Sequence, residues 1–336
     1  LCDLRLRGAG KFSRADRMWF DRQGLEQATS EQVARHKARR FHGAAFDLCC
    51  GIGGDSLALA DHVDVTAVDF NPAACLRTEW NAAVYGVGER VSTVCADVEQ
   101  IDAWDALVHI DPDRRQQKRG RAVRIEDYVP GLQFLQRLTG KSRGGAIKLS
   151  PACNFGGKFP DAEVELISLD GECKEATIWF GELRGDAPWR ATVLPAGLTL
   201  AGNPLDYFVD PSPPLGFVFD PDPAVVRAGL VDAAAQELGL SRLDREEEYL
   251  TGPEIVTSPF VQTFELLADL PNNLNEIRSY FRMSQAGQVE IKCRRIPIEA
   301  DAIRRRLPLP GDQPLVLIFA RVEGKARALV CRRVPA

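Results

Sequence analysis

The sequence contains no apolar run that could cross a bilayer: the longest, Pro314–Ala320, is far below the roughly 18 residues a spanning helix needs. It has no CxxC pair and only four histidines, so neither a zinc centre nor any other metal site is expected. No internal repeat and no low-complexity tract is visible, which excludes solenoid and fibrous architectures. Positive charge is not in excess either. The 42 Lys/Arg against 47 Asp/Glu leave −5, which argues against a protein that coats a polyanion along its whole surface. The chain opens at Leu1 rather than Met, so native residues are expected upstream and the lack of a leader sequence carries little weight.

What is present is an ordinary globular composition, 45% hydrophobic and 26% charged, and 336 residues predict two domains at about 150 residues each. Nine cysteines, odd in number and scattered through apolar runs, read as free thiols in a reducing cytoplasm. The charge is uneven. Arg278 to Arg333 holds 13 Lys/Arg against 5 Asp/Glu, and Arg114, Arg115, Lys118, Arg119, Arg121 and Arg124 form a second basic island. Such islands on an acidic chain are either solvated surface or contacts for a phosphate-bearing partner.

Residues 1–42 are predicted to be a helical segment, with Thr29 and Gln32 spaced as a capping box. From Ala45 short β-rich runs alternate with helices, the pattern of a parallel sheet covered on both faces. Strands are expected at Ala45–Cys49, Val63–Asp69, Val91–Ala96, Ala106–Ile110, Ala146–Leu149, Val164–Leu169 and Ala176–Phe180, with helices at Asp55–Ala60, Ala73–Tyr85 and Tyr128–Leu138. The last two strands are joined only by Asp170-Gly171, so they must be antiparallel. Residues 185–223 are rich in Pro and Gly and read as a long excursion with short hairpins, followed by a helix Pro223–Leu238. The fold class is therefore α/β: a doubly wound, mostly parallel seven-stranded sheet over 43–255, with the helical segment 1–42 before it and a small α+β module over 256–336 after it.

The most informative stretch is Asp47-Leu48-Cys49-Cys50-Gly51-Ile52-Gly53-Gly54-Asp55, where the first strand ends and the first helix opens. A dinucleotide-binding loop would need a sixth-position glycine and a helix N-terminus free for pyrophosphate. Here Ser56 takes that position, and Asp47 and Asp55 would repel a diphosphate. S-adenosylmethionine carries no phosphate; its sulfonium and ammonium are attracted by flanking carboxylates. Gly51 and Gly53 let backbone approach it, and Cys49 occupies the first glycine position of the usual loop. Asp69-Phe70 closes the second strand, where a carboxylate can accept both ribose hydroxyls. Asp97 ends the third and can accept from the adenine amine, with Val98 against the ring. Asp111-Pro112 lies at the carboxyl end of the fourth, where open α/β sheets place their crevice. Each acid alone is a common loop residue; the four in register point to the cofactor.

Over Ala45 to about Pro112 the text DLCCGIGGDSLALA, VTAVDFNP and NAAVYGV resembles the class I S-adenosylmethionine-dependent methyltransferases, more narrowly the trimethylguanosine-synthase-like branch. Beyond it IKLSP, EATIWFGEL and the basic C-terminus resemble bacterial methyltransferases with a C-terminal THUMP-like module. The resemblance implies a Rossmann-like methyltransferase fold and, through the THUMP-like module, RNA as partner. Base-amine methyltransferases carry a polar residue, two prolines and an aromatic after the fourth strand. This chain has Asp111-Pro112-Asp113-Arg114-Arg115, so an arginine stands where the stacking ring would be, and cap guanosine is not a secure substrate.

The expected reaction is in-line transfer of the methyl group to a base nitrogen of RNA, with Asp111 and Pro112 at the catalytic position. Arg114, Arg115, Tyr128, Lys148, Arg294 and Arg295 are the expected substrate contacts. His109 reads either as a base or as a hydrogen-bonded structural residue. The alternatives are a methyltransferase of a small metabolite or protein, and a non-catalytic RNA-binding protein retaining the fold.

Overall fold

The structure, a computed structural model, describes residues 1–101, 105–114 and 124–335, with only the backbone of Arg114. The chain forms two compact units, Leu1–Thr199 and Leu200–Ala336.

The first unit opens with three short helices, α1 (Cys2–Gly8), α2 (Arg22–Gln27) and α3 (Glu31–Ala38). They belong to the core: Phe12, Met18, Phe20, Leu25 and Ala38 are buried in one apolar cluster with Leu57, Leu59, Val65 and Trp179. The expected capping box does not form. Ser30, not Thr29, is the N-cap of α3 and makes no side-chain cap bond, while the Thr29 hydroxyl donates to Asp55 at 2.6 Å.

The strands of this unit are β1 (Ala44–Leu48), β2 (Asp64–Asp69), β3 (Val91–Cys95), β4 (Leu107–Ile110), the two-residue pair β5 (Asp113–Arg114) and β6 (Tyr128–Val129), then β7 (Gly144–Leu149), β8 (Glu163–Leu169), β9 (Glu172–Gly181), β10 (Trp189–Leu194) and β11 (Leu198–Gly202). Nine of them form a sheet in the order β11-β10-β8-β9-β7-β4-β1-β2-β3. β1, β2, β3, β4 and β7 run parallel, and β9 is antiparallel to both β7 and β8. The β8–β9 hairpin turns at Asp170 and Gly171, φ 53° and 76°; left-handed backbone at both central residues is what a two-residue turn demands and Asp-Gly supplies. The sheet exceeds the expected seven strands because Trp189–Leu194 runs parallel alongside β8 and β11 extends the edge.

Between the strands lie α4 (Gly54–Leu59), α5 (Pro72–Tyr85) and α6 (Leu132–Lys141). Helix α5 shows its signals in sequence: the Asn71 side chain accepts from the Ala73 N–H at 3.0 Å, Pro72 opens the first turn, and Gly86 closes it at φ 75°. Helix α6 starts later than expected because Tyr128–Val129 pairs with Asp113–Arg114. From β1 the chain steps outward to β2 and β3 and then returns to the other side of β1 as β4. Such a reversal opens a crevice beyond the carboxyl ends of the two central strands.

In the second unit β12 (Phe217–Pro221), β13 (Ser241–Arg242), β14 (Leu250–Gly252), β15 (Val261–Pro271), β16 (Ala286–Cys293), β17 (Gln313–Val322) and β18 (Lys325–Arg333) form a sheet ordered β13-β14-β12-β15-β18-β17-β16. The helices are α7 (Pro223–Arg227), α8 (Val231–Leu238), α9 (Leu274–Met283) and α10 (Ala300–Arg304). The single helix expected over 223–238 is two, parted at Gly229, φ 73°. Phe217–Pro221 pairs in register with Val261–Glu265, so this sheet takes in strands on both sides of residue 255.

Candidate functional site

The loop after β1 carries three left-handed residues, Cys49 at φ 61°, Gly51 at φ 59° and Gly53 at φ 87°. Two demand glycine for different reasons. At Gly53 a Cβ would lie 3.0 Å from the Thr78 side chain, whereas at Gly51 it would meet nothing within 4 Å. Gly51 therefore lines open space, and a side chain there would occupy room that a ligand could use. The Gly51 N–H donates to Asp69 Oδ2 at 3.0 Å, and Asp69 Oδ1 accepts from the Asn71 N–H at 2.9 Å. Burial pushes the Asp69 carboxyl up despite these two bonds. Each oxygen retains a lone pair for a further donor.

Phe70, the next residue, is 78% exposed. Asp97 caps the turn Val98–Gln100, accepting from the Glu99 N–H at 3.0 Å, and Val98 is buried beneath it. Cys49 is neutral at physiological pH, since burial and the carboxylates of Asp69 and Asp111 push its thiol well up. Gly51, Asp69, Phe70, Asp97 and Val98 thus border the carboxyl ends of β1 to β3, with open space at Gly51.

Asp47 and Asp55 do not face that open space, contrary to expectation. Asp47, 1% exposed, accepts from His109 Nδ1 at 2.7 Å and from the Ser56 hydroxyl. Ser56, the residue at the sixth motif position, is thereby spent on holding this carboxylate. Asp55 pairs with Lys37 at 2.8 Å while its other oxygen takes the Thr29 hydroxyl. Lys37 is 1% exposed and also reaches Glu175 at 2.9 Å and His109 Nε2 at 3.2 Å. Its ammonium is thus enclosed by two carboxylates and an imidazole nitrogen. Burial alone would lower the Lys37 ammonium, yet Asp55 and Glu175 raise it, so the cation persists. His109, held at both ring nitrogens and fully buried, is a structural residue of this network.

Asp111 sits where β4 ends, its N–H bonded to Leu48 O at 3.2 Å. Its side chain is 30% exposed and its Oδ2 lies 2.5 Å from Lys148 Nζ. Lys148 also donates to Gln27 O at 3.1 Å, and the Gln27 side chain donates to Asp113 at 2.9 Å. Burial pushes the Asp111 carboxyl up and Lys148 holds it back, leaving it above the ordinary value. Burial pulls the Lys148 ammonium down, but Asp111, Asp55 and Glu175 outweigh it and raise it. The pair is an anchored hydrogen-bond acceptor beside its counter-ion, with Pro112 buried behind it.

Other expected contacts lie elsewhere. Tyr128 is 3% exposed, and its hydroxyl accepts from the Ser150 N–H at 3.0 Å, so its ring is core and not a stacking surface. In the second unit Arg294 is bound to Asp220 at 2.6 Å and to Pro221 O at 2.8 Å over the Tyr249 ring. Arg295 reaches Glu248 at 2.8 Å but stays 60% exposed. Arg115, with Lys118, Arg119 and Arg121, lies outside the described residues. The sequence reading missed Gln27, Lys37, Thr29 and Glu175. The available signal for Lys37 was its place on the buried face of α3 with Val33, Ala34 and Ala38. Among the described residues no group of His, Cys, Asp and Glu is placed to hold a metal, and no helix is long and apolar enough to cross a membrane.

Comparison with known proteins adds the following. A family model described as RNA cap guanine-N2 methyltransferase matches residues 42–134, and one described as THUMP domain-like matches 261–333. Two Mycobacterium tuberculosis proteins, from two strains and each described as an uncharacterized S-adenosylmethionine-dependent methyltransferase, are 34% identical over 348 residues, covering 98% of this chain and 94% of theirs. The crystal structure of a Porphyromonas gingivalis W83 protein, assigned as a methyltransferase, superposes with a TM-score of 0.81 at 21% identity, over 99% of this chain and 89% of that one. At that identity the likeness is one of fold.

Proposed function

The chain belongs to the S-adenosylmethionine-dependent methyltransferases, as 34% identity over 98% of its length to such proteins establishes, and from that premise we propose that it methylates a base nitrogen of RNA. The observation that carries the proposal is the half-open Asp111 carboxylate beside the Gly51 cradle, at the end of β4 and paired with Lys148. The match of residues 42–134 to a cap guanine-N2 methyltransferase model supports a base amine as acceptor, and the THUMP-like match at 261–333 supports RNA as its carrier.

S-adenosylmethionine supplies, when bound, a methyl group already activated by its sulfonium. What the protein must add is placement, a dry crevice and an acceptor for the amine's proton. Gly51, Cys49 and Gly53 would receive the methionine part through their backbone. Asp69 would take the ribose hydroxyls, with Phe70, Asp97 and Val98 around the adenine. Asp47 and Asp55 act behind the loop: through His109, Ser56 and Lys37 they fix where β1 ends and α4 begins. Asp111 accepts a hydrogen bond from the incoming amine, orienting its lone pair toward the methyl group, and takes up the proton released as the bond forms. Lys148 opposes the upward push of burial on the Asp111 carboxyl and so favours its ionised form. The odd number of cysteines and their scatter through apolar runs support a cytoplasmic location.

The test is incubation with methyl-labelled cofactor and separate RNA, protein and metabolite fractions. Label in the RNA fraction, lost in Asp111→Asn, is the expected result; label in protein or metabolites alone overturns the substrate assignment.

A further inference from the structure

Two tryptophans on the first unit are exposed to an extent that stability does not require. Trp19 is 42% and Trp80 45% exposed, with ring centroids 5.0 Å apart. Trp residues are on average highly buried, so a paired exposed set marks a contact surface. Trp80 lies on the outer face of α5 one turn after Leu76, itself 46% exposed. The surface is built, not accidental. Asn81, fully buried, accepts from the Trp19 N–H at 2.7 Å and donates to Trp19 O at 3.1 Å and to Ile52 O at 2.9 Å. One side chain thus fixes the Trp19 backbone to the loop that carries Gly51 and Gly53. On the other side the Arg5 guanidinium stands 5.7 Å from the Trp19 ring and bonds Met18 O at 3.0 Å.

The segment that carries Trp19 is basic: residues 1–42 hold ten Lys/Arg against five Asp/Glu, whereas the whole chain is at −5, and Arg5 is the cation set directly against the Trp19 ring. Arg17, two residues before Trp19, is 64% exposed and lies 4.0 Å from the Asp16 carboxylate. Indole rings with cations beside them suit stacked bases on a phosphate chain. An apolar protein partner would not call for the cations.

We propose that the Trp19–Trp80 surface is a stacking platform for unpaired bases of the RNA substrate, flanking the nucleotide that is methylated. The inference rests on the RNA reading above and deepens it. Trp80 is about 12 Å along α5 from the helix start beside Asp69, so the platform holds a neighbouring stretch of strand and not the target base. It selects single-stranded RNA, because bases stacked within a duplex do not offer their faces.

The experiment measures binding of a fluorescein-labelled 12-nucleotide oligouridylate and of a 12-base-pair RNA duplex by anisotropy at low salt, on the full chain. Trp80→Ala should weaken oligouridylate binding about tenfold, as loss of one base–indole stack does. Trp80→Leu, which keeps apolar area without a flat ring, should lose nearly as much and guards against a folding artefact in the first variant. Leu6→Ala, at an exposed residue outside the platform, should bind as wild type does. Duplex binding should not distinguish the variants. If wild type binds oligouridylate and both Trp80 variants bind equally well, the platform is refuted while the RNA reading stands. If wild type binds neither RNA, the RNA reading fails and takes the platform with it. A wild-type dimer that Trp80→Ala dissociates would assign the surface to a second copy of the chain and overturn the proposal.

Discussion

Replacing Lys37 with Met tests the buried network most directly, because the residue touches no solvent and its ammonium is enclosed by two carboxylates and an imidazole nitrogen. The change removes the ammonium from between Asp55 at 2.8 Å and Glu175 at 2.9 Å, carboxylates that are 7% and 3% exposed. The lost packing is small, since Met matches the lysine stem. What remains is uncompensated buried negative charge, which typically costs about 3–5 kcal/mol. For a unit near 200 residues each kcal/mol moves the midpoint by about 2–4 °C, so thermal unfolding of the first unit should begin about 6–20 °C lower. Adding Glu175→Gln should restore about 1 kcal/mol or more, since it removes one of the stranded charges. The pH dependence carries a sign. In the wild type burial pushes the Asp55 carboxyl up, but Lys37 and His109 bring it below the usual carboxylate range. A carboxyl depressed in the folded state stabilises above its unfolded pKa, and that contribution fades as pH falls. Without Lys37 burial prevails, protonation of Asp55 then favours folding, and the gap between variant and wild type should narrow from pH 7 to pH 5. Calorimetry across that range is the assay. A variant melting within about 2 °C of wild type, or a gap that widens toward pH 5, refutes the assignment of Lys37 as the cation that neutralises this network.

Four further outcomes follow from the geometry. Asp69→Ala should weaken S-adenosylmethionine by about 1.5–3 kcal/mol in titration calorimetry, through lost charge-assisted bonds; unchanged affinity would remove Asp69 from the cofactor site. Asp111→Asn should slow label transfer by about 100-fold with little change in cofactor affinity. Lys148→Met should move the acid limb of the rate profile up by about 1–3 pH units, since Asp111, already raised by burial, loses the ammonium that keeps it ionised; a limb that stays in place would show that Asp111 is not the titrating acceptor. Arg294→Ala should destabilise the second unit by about 1–3 kcal/mol by taking a guanidinium from Asp220, and a change in RNA affinity without one in stability would return Arg294 to the RNA surface.

Much of the first unit was legible from period and punctuation alone. Alternating β-rich and helical runs, Asn71-Pro72 and Gly86 around α5, and Asp170-Gly171 between β8 and β9 each act within a few residues of chain, so local steric and hydrogen-bonding preferences suffice to read them. The left-handed demands of Gly51 and Gly53 and the carboxylate at Asp69 are of the same kind, because a motif that follows a strand inherits its position from that strand. What lay beyond the sequence concerns partners far apart in the chain. That Asp47 and Asp55 turn inward was decided by Lys37, His109 and Thr29, residues up to 62 positions away, and a carboxylate's charge reads the same whether it faces a ligand or a buried ammonium. Tyr128 became core once β6 paired with β5. Arg294 was spent on Asp220, 74 positions earlier, once β12 joined the C-terminal sheet. Local sequence determines which residues can form a loop, a cap or a turn; only the tertiary structure decides which charges meet, because burial makes each of them seek a counter-charge wherever the fold brings one.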